Sequence, residues 1–432
     1  MDYINLVSSL EKKRYTKKDR IITAVQIPLT GIMIGFVVTL FIYLASKIIS
    51  ISNYLINYNN LIFAIVLATV FIIAIFTTYT NYKYKGYIGN GISILSMDYY
   101  GNNDFNPYRL LFFTTINSYL AFFFGFTLGT EAPSVTIGAS VAKIGNKALN
   151  KYDRDIVMAG GSSGFAAAFI APVAGFIHLL EVHRHRIRKA FIIKGIFMIG
   201  TSYISSYILQ RLIWNRELFY SMDIIWIPFN LFYAVILVSI LSFGIGELFS
   251  FVHGMAQRLR GGRLMLYLTP ILALGFFLLK KYYPLLSGNG DMAIELSILD
   301  KGLFLILLIM IIRFIFMILS ENANVSGGTV LPLIALGAIL GEIIVSIISK
   351  NDPSILKYEN TFKAIGMFCC LGCAANIPIT SYVLAIETLH TYQILLSLGI
   401  ALIFIVFLKK MINLPFAYKK YYRIELDDRS IV

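Results

Sequence analysis

Charge is scarce in this chain of 432 residues. Only 14% of positions are Asp, Glu, Lys or Arg, 58% are hydrophobic, and mean hydropathy is +0.75. Soluble domains carry about 25% charged residues, so the shortage excludes a water-soluble globular fold. Cysteine is nearly absent: Cys369, Cys370 and Cys373 are the only three. A metal site would want a fourth ligand in tetrahedral spacing. The neighbours from Gly366 to Ala375 are small or apolar, so these cysteines read as small residues that let helices approach closely. No metal and no cofactor is expected. Histidine is also sparse. His178, His183, His185, His253 and His390 are scattered except for His183-Arg184-His185, and no Asp/Glu pair accompanies them at useful spacing. A polytopic membrane enzyme, such as a lipid-modifying transferase, would need a clustered acid–base or ligand set, so enzymatic activity is not expected.

Long apolar stretches dominate what is present. Runs such as Ile21–Ile49, Leu110–Leu128, Ile156–Leu180, Val330–Ile348 and Phe362–Leu408 reach or exceed the ~20 residues that span a bilayer. Several could hold two helices and several contain Gly or Pro, so spans cannot be counted from the sequence. The first 20 residues carry Lys12-Lys13-Arg14 and Lys17-Lys18-Asp19-Arg20 without an apolar centre, unlike a removable signal peptide. Basic residues also crowd Arg184–Lys189, Arg258–Arg263 and the stretch Lys409 to Lys420. Positive loops stay inside, so a multi-pass cell-membrane protein with both termini cytoplasmic is expected. The formal charge of +14 (37 minus 23) follows from this bias and needs no nucleic acid, whose binders carry their basic stripe on a soluble domain.

One acid falls where acids are costly. In Gly129-Thr130-Glu131-Ala132-Pro133 it lies between the apolar run Phe122–Leu128 and a helix that Pro133 opens. A charge at bilayer depth costs from ~2.5 to above ~10 kcal/mol unless it is paired, protonated or facing water. A helix N-terminus with free amides favours a negative charge. Glu131 therefore either caps its own helix or occupies a site meant for an anion.

Self-similarity narrows the choice. Gly89-Asn90-Gly91 recurs as Gly288-Asn289-Gly290, 199 residues later; Gly129, Thr130, Pro133, Gly138 and Ala139 recur at the same offset as Gly328, Thr329, Pro332, Gly337 and Ala338. Gly160, Ala168, Pro172 and Glu181 recur 206 residues later as Gly366, Ala374, Pro378 and Glu387. The chain divides into a leader (1–20), two diverged membrane repeats (21–215 and 216–425) and a short tail (426–432). Paired repeats with Gly/Pro-broken helices mark transporters that bind substrate near the midplane. Broken helices at that depth are tolerated where they are buried or line a watery cavity, and their N-termini attract anions. The expected fold is all-α and polytopic, with inverted halves meeting at a central site for a small anion.

These motifs resemble those of the CLC family of chloride channels and chloride/proton antiporters. The Glu131 stretch is similar to the family's Gly-x-Glu-Gly-Pro segment, and Ser326-Gly327-Gly328-Thr329-Val330-Leu331-Pro332 to its Gly-Gly-x-Phe-x-Pro segment. Gly164–Gly175 with Glu181 resembles its Ala-rich segment ending in an acid, and Gly89-Asn90-Gly91-Ile92-Ser93 stands where the family has Gly-Ser-Gly-Ile-Pro. The resemblance implies a homodimer in the bilayer with one pore per subunit and Glu131 as the gate. It implies anion contacts from Asn90, Gly91, Ile92, Ser93, Thr130, Ala132, Val330, Leu331 and Tyr418. Tyr418 reads equally as an interfacial aromatic anchor, and Asn90 equally as a residue that shapes its turn.

Three departures qualify the implied mechanism. Asn90 replaces the serine that usually donates to chloride, with Ser93 a candidate donor in its place. Val182 stands where antiporters of the family carry an inner proton-relaying glutamate. Glu181, one residue earlier, points about 100° away around a helix, and its repeat partner Glu387 suggests a shared structural role in capping, in pairing with Arg184, or at a dimer contact. Glu181, His178 and His183 are the remaining candidates for a proton path. Finally, the fluoride-exporting branch carries an acid where Thr329 stands. The expectation is transport of chloride or a similar anion with weak or no proton coupling; a proton-coupled chloride antiporter or a fluoride/proton exporter is the alternative. Only 14 residues follow Tyr418, too few for a soluble regulatory domain of ~50 residues, so control is expected from pH, voltage or the anions themselves.

Overall fold

The computed structural model describes residues 17–83, 105–149, 153–184, 187–213, 222–256 and 262–412. The leader before residue 17, Asn90, Gly91, Ile92, Ser93 and Tyr418 lie outside these residues. Among the described residues there are fifteen α-helices and no β-strand. The first half contributes α1 (Lys17–Tyr58), α2 (Asn60–Lys83), α3 (Pro107–Phe124), α4 (Glu131–Ala148), α5 (Arg154–Phe169), α6 (Pro172–Val182) and α7 (Lys189–Ile213). The second contributes α8 (Phe232–Ala256), α9 (Arg263–Tyr282), α10 (Asp291–Glu295), α11 (Leu303–Asn322), α12 (Val330–Ile348), α13 (Glu359–Ala374), α14 (Pro378–Leu389) and α15 (Leu395–Ile412). Among the described residues, eight helical segments are long and apolar enough to cross a membrane.

The repeat seen in the sequence is carried into the helices. α4 begins at 131 and α12 at 330; α6 begins at 172 and α14 at 378, the same offsets of 199 and 206. Local signals explain several boundaries. Asn106 accepts hydrogen bonds from the amides of Tyr108 (3.1 Å) and Arg109 (3.3 Å) to cap α3, and Gly125, at φ +82°, ends it. Pro172 and Pro378 occupy the first turns of α6 and α14, where a missing N–H costs nothing.

Glycine on glycine brings the central helices together. A β-carbon on Gly138 of α4 would lie 2.3 Å from the Gly160 carbonyl oxygen of α5, and one on Gly337 of α12 would lie 2.2 Å from the Gly366 carbonyl oxygen of α13. Equivalent crossings in the two halves thus need backbones in direct contact, as small residues permit in bilayers. α12 is the innermost span: 89% of its apolar window is buried, against 22–39% for the other seven. Its one acid, Glu342, is paired at 2.7 Å with Lys363 of α13, both fully enclosed, and each also holds a backbone group of the segment after α10 (Ile298 N–H, 3.2 Å; Leu296 carbonyl, 3.0 Å). A buried charge persists when paired in this way. The cysteines are buried as expected, with Cys373 packed where a side chain on Gly246 would otherwise fall.

α5 and α13 end alike, in a left-handed residue without being glycine: Ile170 at φ +48° and Asn376 at φ +56°, again 206 apart. Asn tolerates this region, whereas a β-branched residue is strained there by roughly 1–2 kcal/mol. Ile170→Asn should therefore raise the midpoint of thermal unfolding in detergent, and Asn376→Ile should lower it. A fall on Ile170→Asn would mean that the Ile170 side chain's packing outweighs its backbone strain.

Candidate anion site

The two broken helices meet head to head. Gly129, ahead of α4, and Gly328, ahead of α12, exchange both backbone hydrogen bonds: Gly129 N–H to Gly328 carbonyl at 2.7 Å and the reverse at 2.9 Å, as an isolated antiparallel bridge. Equivalent segments thus run in opposite directions where they touch, as inverted halves require. α4 opens at Glu131 and α12 at Val330, two residues earlier than the sequence suggested from Pro133. The whole first turn has unpaired amides, so Pro133 and Pro332 sit without penalty at its third position. Thr130 and Thr329 occupy the N-cap positions, yet neither makes a side-chain capping bond.

Glu131 is 4% exposed. Its Oε1 accepts a hydrogen bond from the Thr130 hydroxyl at 3.1 Å, and the Thr130 carbonyl accepts one from the Ser134 hydroxyl at 2.8 Å. Oε2 folds back over Gly129: a β-carbon there would be 2.3 Å from it and 3.1 Å from Leu331 Cβ. A β-carbon on Gly328 would be 2.7 Å from Ala132 Cβ and 2.9 Å from its amide nitrogen. Thr130, Glu131, Ala132, Val330 and Leu331 are therefore gathered around one glycine bridge. The carboxylate lies between the positive ends of two helices, an arrangement that favours a negative charge.

The polypeptide leading to this bridge is held from all sides by buried polar groups. The Asn117 amide donates to Asn81 Oδ1 (3.0 Å), and the Asn81 amide donates to the Asn324 carbonyl (2.7 Å). The Asn324 N–H donates to the Thr269 hydroxyl (3.1 Å), and the Thr127 N–H to the Ser320 hydroxyl (3.0 Å). Beside it, Glu321 at the end of α11 faces His253 Nδ1 of α8 at 2.8 Å, with the imidazole stacked on Phe249. Residue spacing gave no signal for these partners, which come from helices far apart in the chain.

Glu181 and Glu387 form a second, symmetric feature. Glu181 accepts from the Ile379 amide (3.1 Å), the Thr380 amide (2.8 Å) and the Thr380 hydroxyl (2.6 Å), capping α14. Glu387 accepts from the Val173 (3.0 Å) and Ala174 (2.7 Å) amides, capping α6. Of the roles open to this pair, capping is the one the geometry carries, each half closing a helix of the other. His178 packs locally: its Nδ1 is 3.0 Å from the Ser162 hydroxyl and its ring is stacked on Phe165.

A family model described as voltage gated chloride channel matches residues 73–406. Three solved structures share the fold. A slow cyanobacterial chloride/proton antiporter superposes with a TM-score of 0.81 at 18% identity, covering 94% of this chain and 97% of its own. A CLC-type fluoride/proton antiporter gives 0.72 at 20% identity, over 90% and 96%. A eukaryotic CLC transporter gives 0.72 at 17%, over 94% and 74%.

Removing either reciprocal cap should be measurable. Glu387→Ala and Glu181→Ala should each lower unfolding free energy by about 1–2 kcal/mol, the worth of an N-cap with charge assistance. Equal stability of Glu387→Ala and the parent in thermal melts would remove the capping role.

Proposed function

Because the chain belongs to the voltage-gated chloride channel family, we propose that it carries chloride or a similar small anion across the cell membrane along a path between the N-termini of α4 and α12, with Glu131 as the gate. The observation that carries this reading is the Glu131 carboxylate folded back over Gly129 between two helix N-termini. Ionised, it fills the place an anion would take; protonated or displaced, it yields that place. Binding then rests chiefly on backbone amides of Thr130, Ala132, Val330 and Leu331, with Asn90, Gly91, Ile92, Ser93 and Tyr418 completing the site. Both termini face the cytoplasm, and two copies associate through the exposed apolar faces of α6, α7, α14 and α15, where Val173, Ile193, Ile379 and Ile403 lie bare.

Proton coupling is weak or absent in this proposal. An obligatory exchanger needs a titratable group at the inner end of the proton route. Val182 offers none, Glu181 is engaged by two amides and a hydroxyl of α14, and His178 Nδ1 is engaged by Ser162. Thr329, a neutral residue, stands where the fluoride-exporting branch has an acid, which favours chloride over fluoride exchange.

Two measurements in proteoliposomes test this reading. Glu131→Gln should keep or raise anion flux and erase most of its dependence on external pH; an unchanged pH response would refute the gate. With the membrane potential left free, an outward chloride gradient should drive little proton uptake. Uphill proton movement at a fixed anion-to-proton ratio, lost in Glu131→Gln, would overturn the uncoupled reading.

A further inference from the structure

Transport as read so far leaves one buried titratable pair unused. Glu321, on the last turn of α11, is 3% exposed, and its carboxylate lies 2.8 Å from Nδ1 of His253 on α8. Phe249, one turn earlier on α8, stacks on the imidazole and holds its plane, with 5.3 Å between ring centres. His253 keeps 14% of its side chain exposed, close to the end of α8 at Ala256. The pair is thus enclosed on the Glu321 side and open to proton exchange on the His253 side.

Its place along the chain matters as much as its burial. Ser320, beside Glu321, accepts a hydrogen bond from the Thr127 N–H at 3.0 Å, and Asn324, a little further on, is held by Asn81 and Thr269. Thr127 lies just ahead of Gly129, and Asn324 just ahead of Gly328. The acid therefore stands where the approaches from both halves come together on their way to the bridge.

A histidine–carboxylate pair differs in kind from the other enclosed pair, Glu342 with Lys363. Lysine beside a carboxylate ordinarily keeps its proton well above neutral pH, whereas imidazole is the side chain that exchanges its proton nearest neutrality. With one shared proton the His253–Glu321 pair sums to zero charge; without it, one net negative charge remains in an enclosed place. Such a charge is costly and repels an anion approaching the bridge. The other charged groups on the packed helices are engaged elsewhere or exposed. On α12 and α13, Glu342 and Lys363 serve each other, and Glu359 lies at the first turn of α13. Lys409 of α15 is held by Glu247 of α8 and the Cys373 carbonyl, while Lys410 and Arg263, which opens α9, are exposed. Arg313, earlier on α11, is spent on the Leu285 and Gly288 carbonyls, and Asp300 and Lys301 lie before the start of that helix.

We propose that His253 and Glu321 together form a second proton-binding site, separate from Glu131, whose occupancy sets how readily anions reach the bridge. Protonated, the pair admits them; deprotonated, its net negative charge holds them off. The site tunes the path and does not feed protons to Glu131, so it stands beside the uncoupled reading, and it rests on reading the bridge as part of the anion path.

Four full-length proteins in liposomes, with pH set equal on both sides, separate the two sites: the parent, Glu131→Gln, Glu321→Gln and the double variant. Glu131→Gln should keep a residual fall in chloride flux, roughly two- to tenfold from about pH 6 to about pH 8, the scale of one screened unit charge. The double variant should lose that fall and carry chloride at the acid-side rate throughout. If Glu321→Gln does not fold, His253→Gln with Glu321→Gln, a neutral amide pair, takes its place. Equal pH responses in Glu131→Gln and the double variant would overturn the proposal, as would a flat response in Glu131→Gln alone. In NMR of the parent with nitrogen-labelled histidine, the resonance missing from His253→Gln should change over the same pH range; a constant one would also overturn it. Failure of the gate reading shows differently, as a Glu131→Gln response equal to the parent's, and leaves the comparison with the double variant readable.

Discussion

Two backbone hydrogen bonds between Gly129 and Gly328 join the halves at a place where neither is helical. In a bilayer every backbone polar group needs a partner, and a broken helix exposes several at once. Pairing the two breaks with each other satisfies part of that need and leaves the first-turn amides of α4 and α12 facing a shared space. A β-carbon on Gly328 would enter the first turn of α4, and one on Gly129 would displace the Glu131 carboxylate and press on Leu331. The polar chain Asn117–Asn81–Asn324–Thr269 then holds the approach to the bridge in place.

Around this bridge the halves are alike in frame and unlike in charge. Helix starts, glycine crossings and the left-handed ends of α5 and α13 coincide after the offset. Glu131, however, is matched by Val330, so a single carboxylate serves a site built from two equivalent ends. A symmetric frame supplies two positive helix termini, and in the proposed reading the asymmetric acid is what would make their common space selectable by protonation.

The repeat, the broken helices and Glu131 were legible because glycine and proline leave periodic marks that survive divergence. The start of α4 was read two residues late, since proline is accepted anywhere in a first turn and does not fix its position. The partners of Glu181 and Glu387 were not legible: the equality of the two acids showed only that they share a role, and which amides they reach depends on how the halves lie together. His253 and Glu321, on α8 and α11, are 2.8 Å apart for a similar reason, through packing that no local pattern encodes.

The reciprocal caps also bear on how the protein is made. The amides of Val173 and Ala174 wait for a carboxylate that lies 214 and 213 residues further along the chain, and Asn81 for a carbonyl 243 residues on. During synthesis the first half therefore enters the bilayer with a helix start uncapped and the Asn81 amide group still lacking its acceptor. It becomes a finished structure only after nearly the whole chain has left the ribosome, so the nascent first half is the interval in which shielding by the insertion machinery matters most.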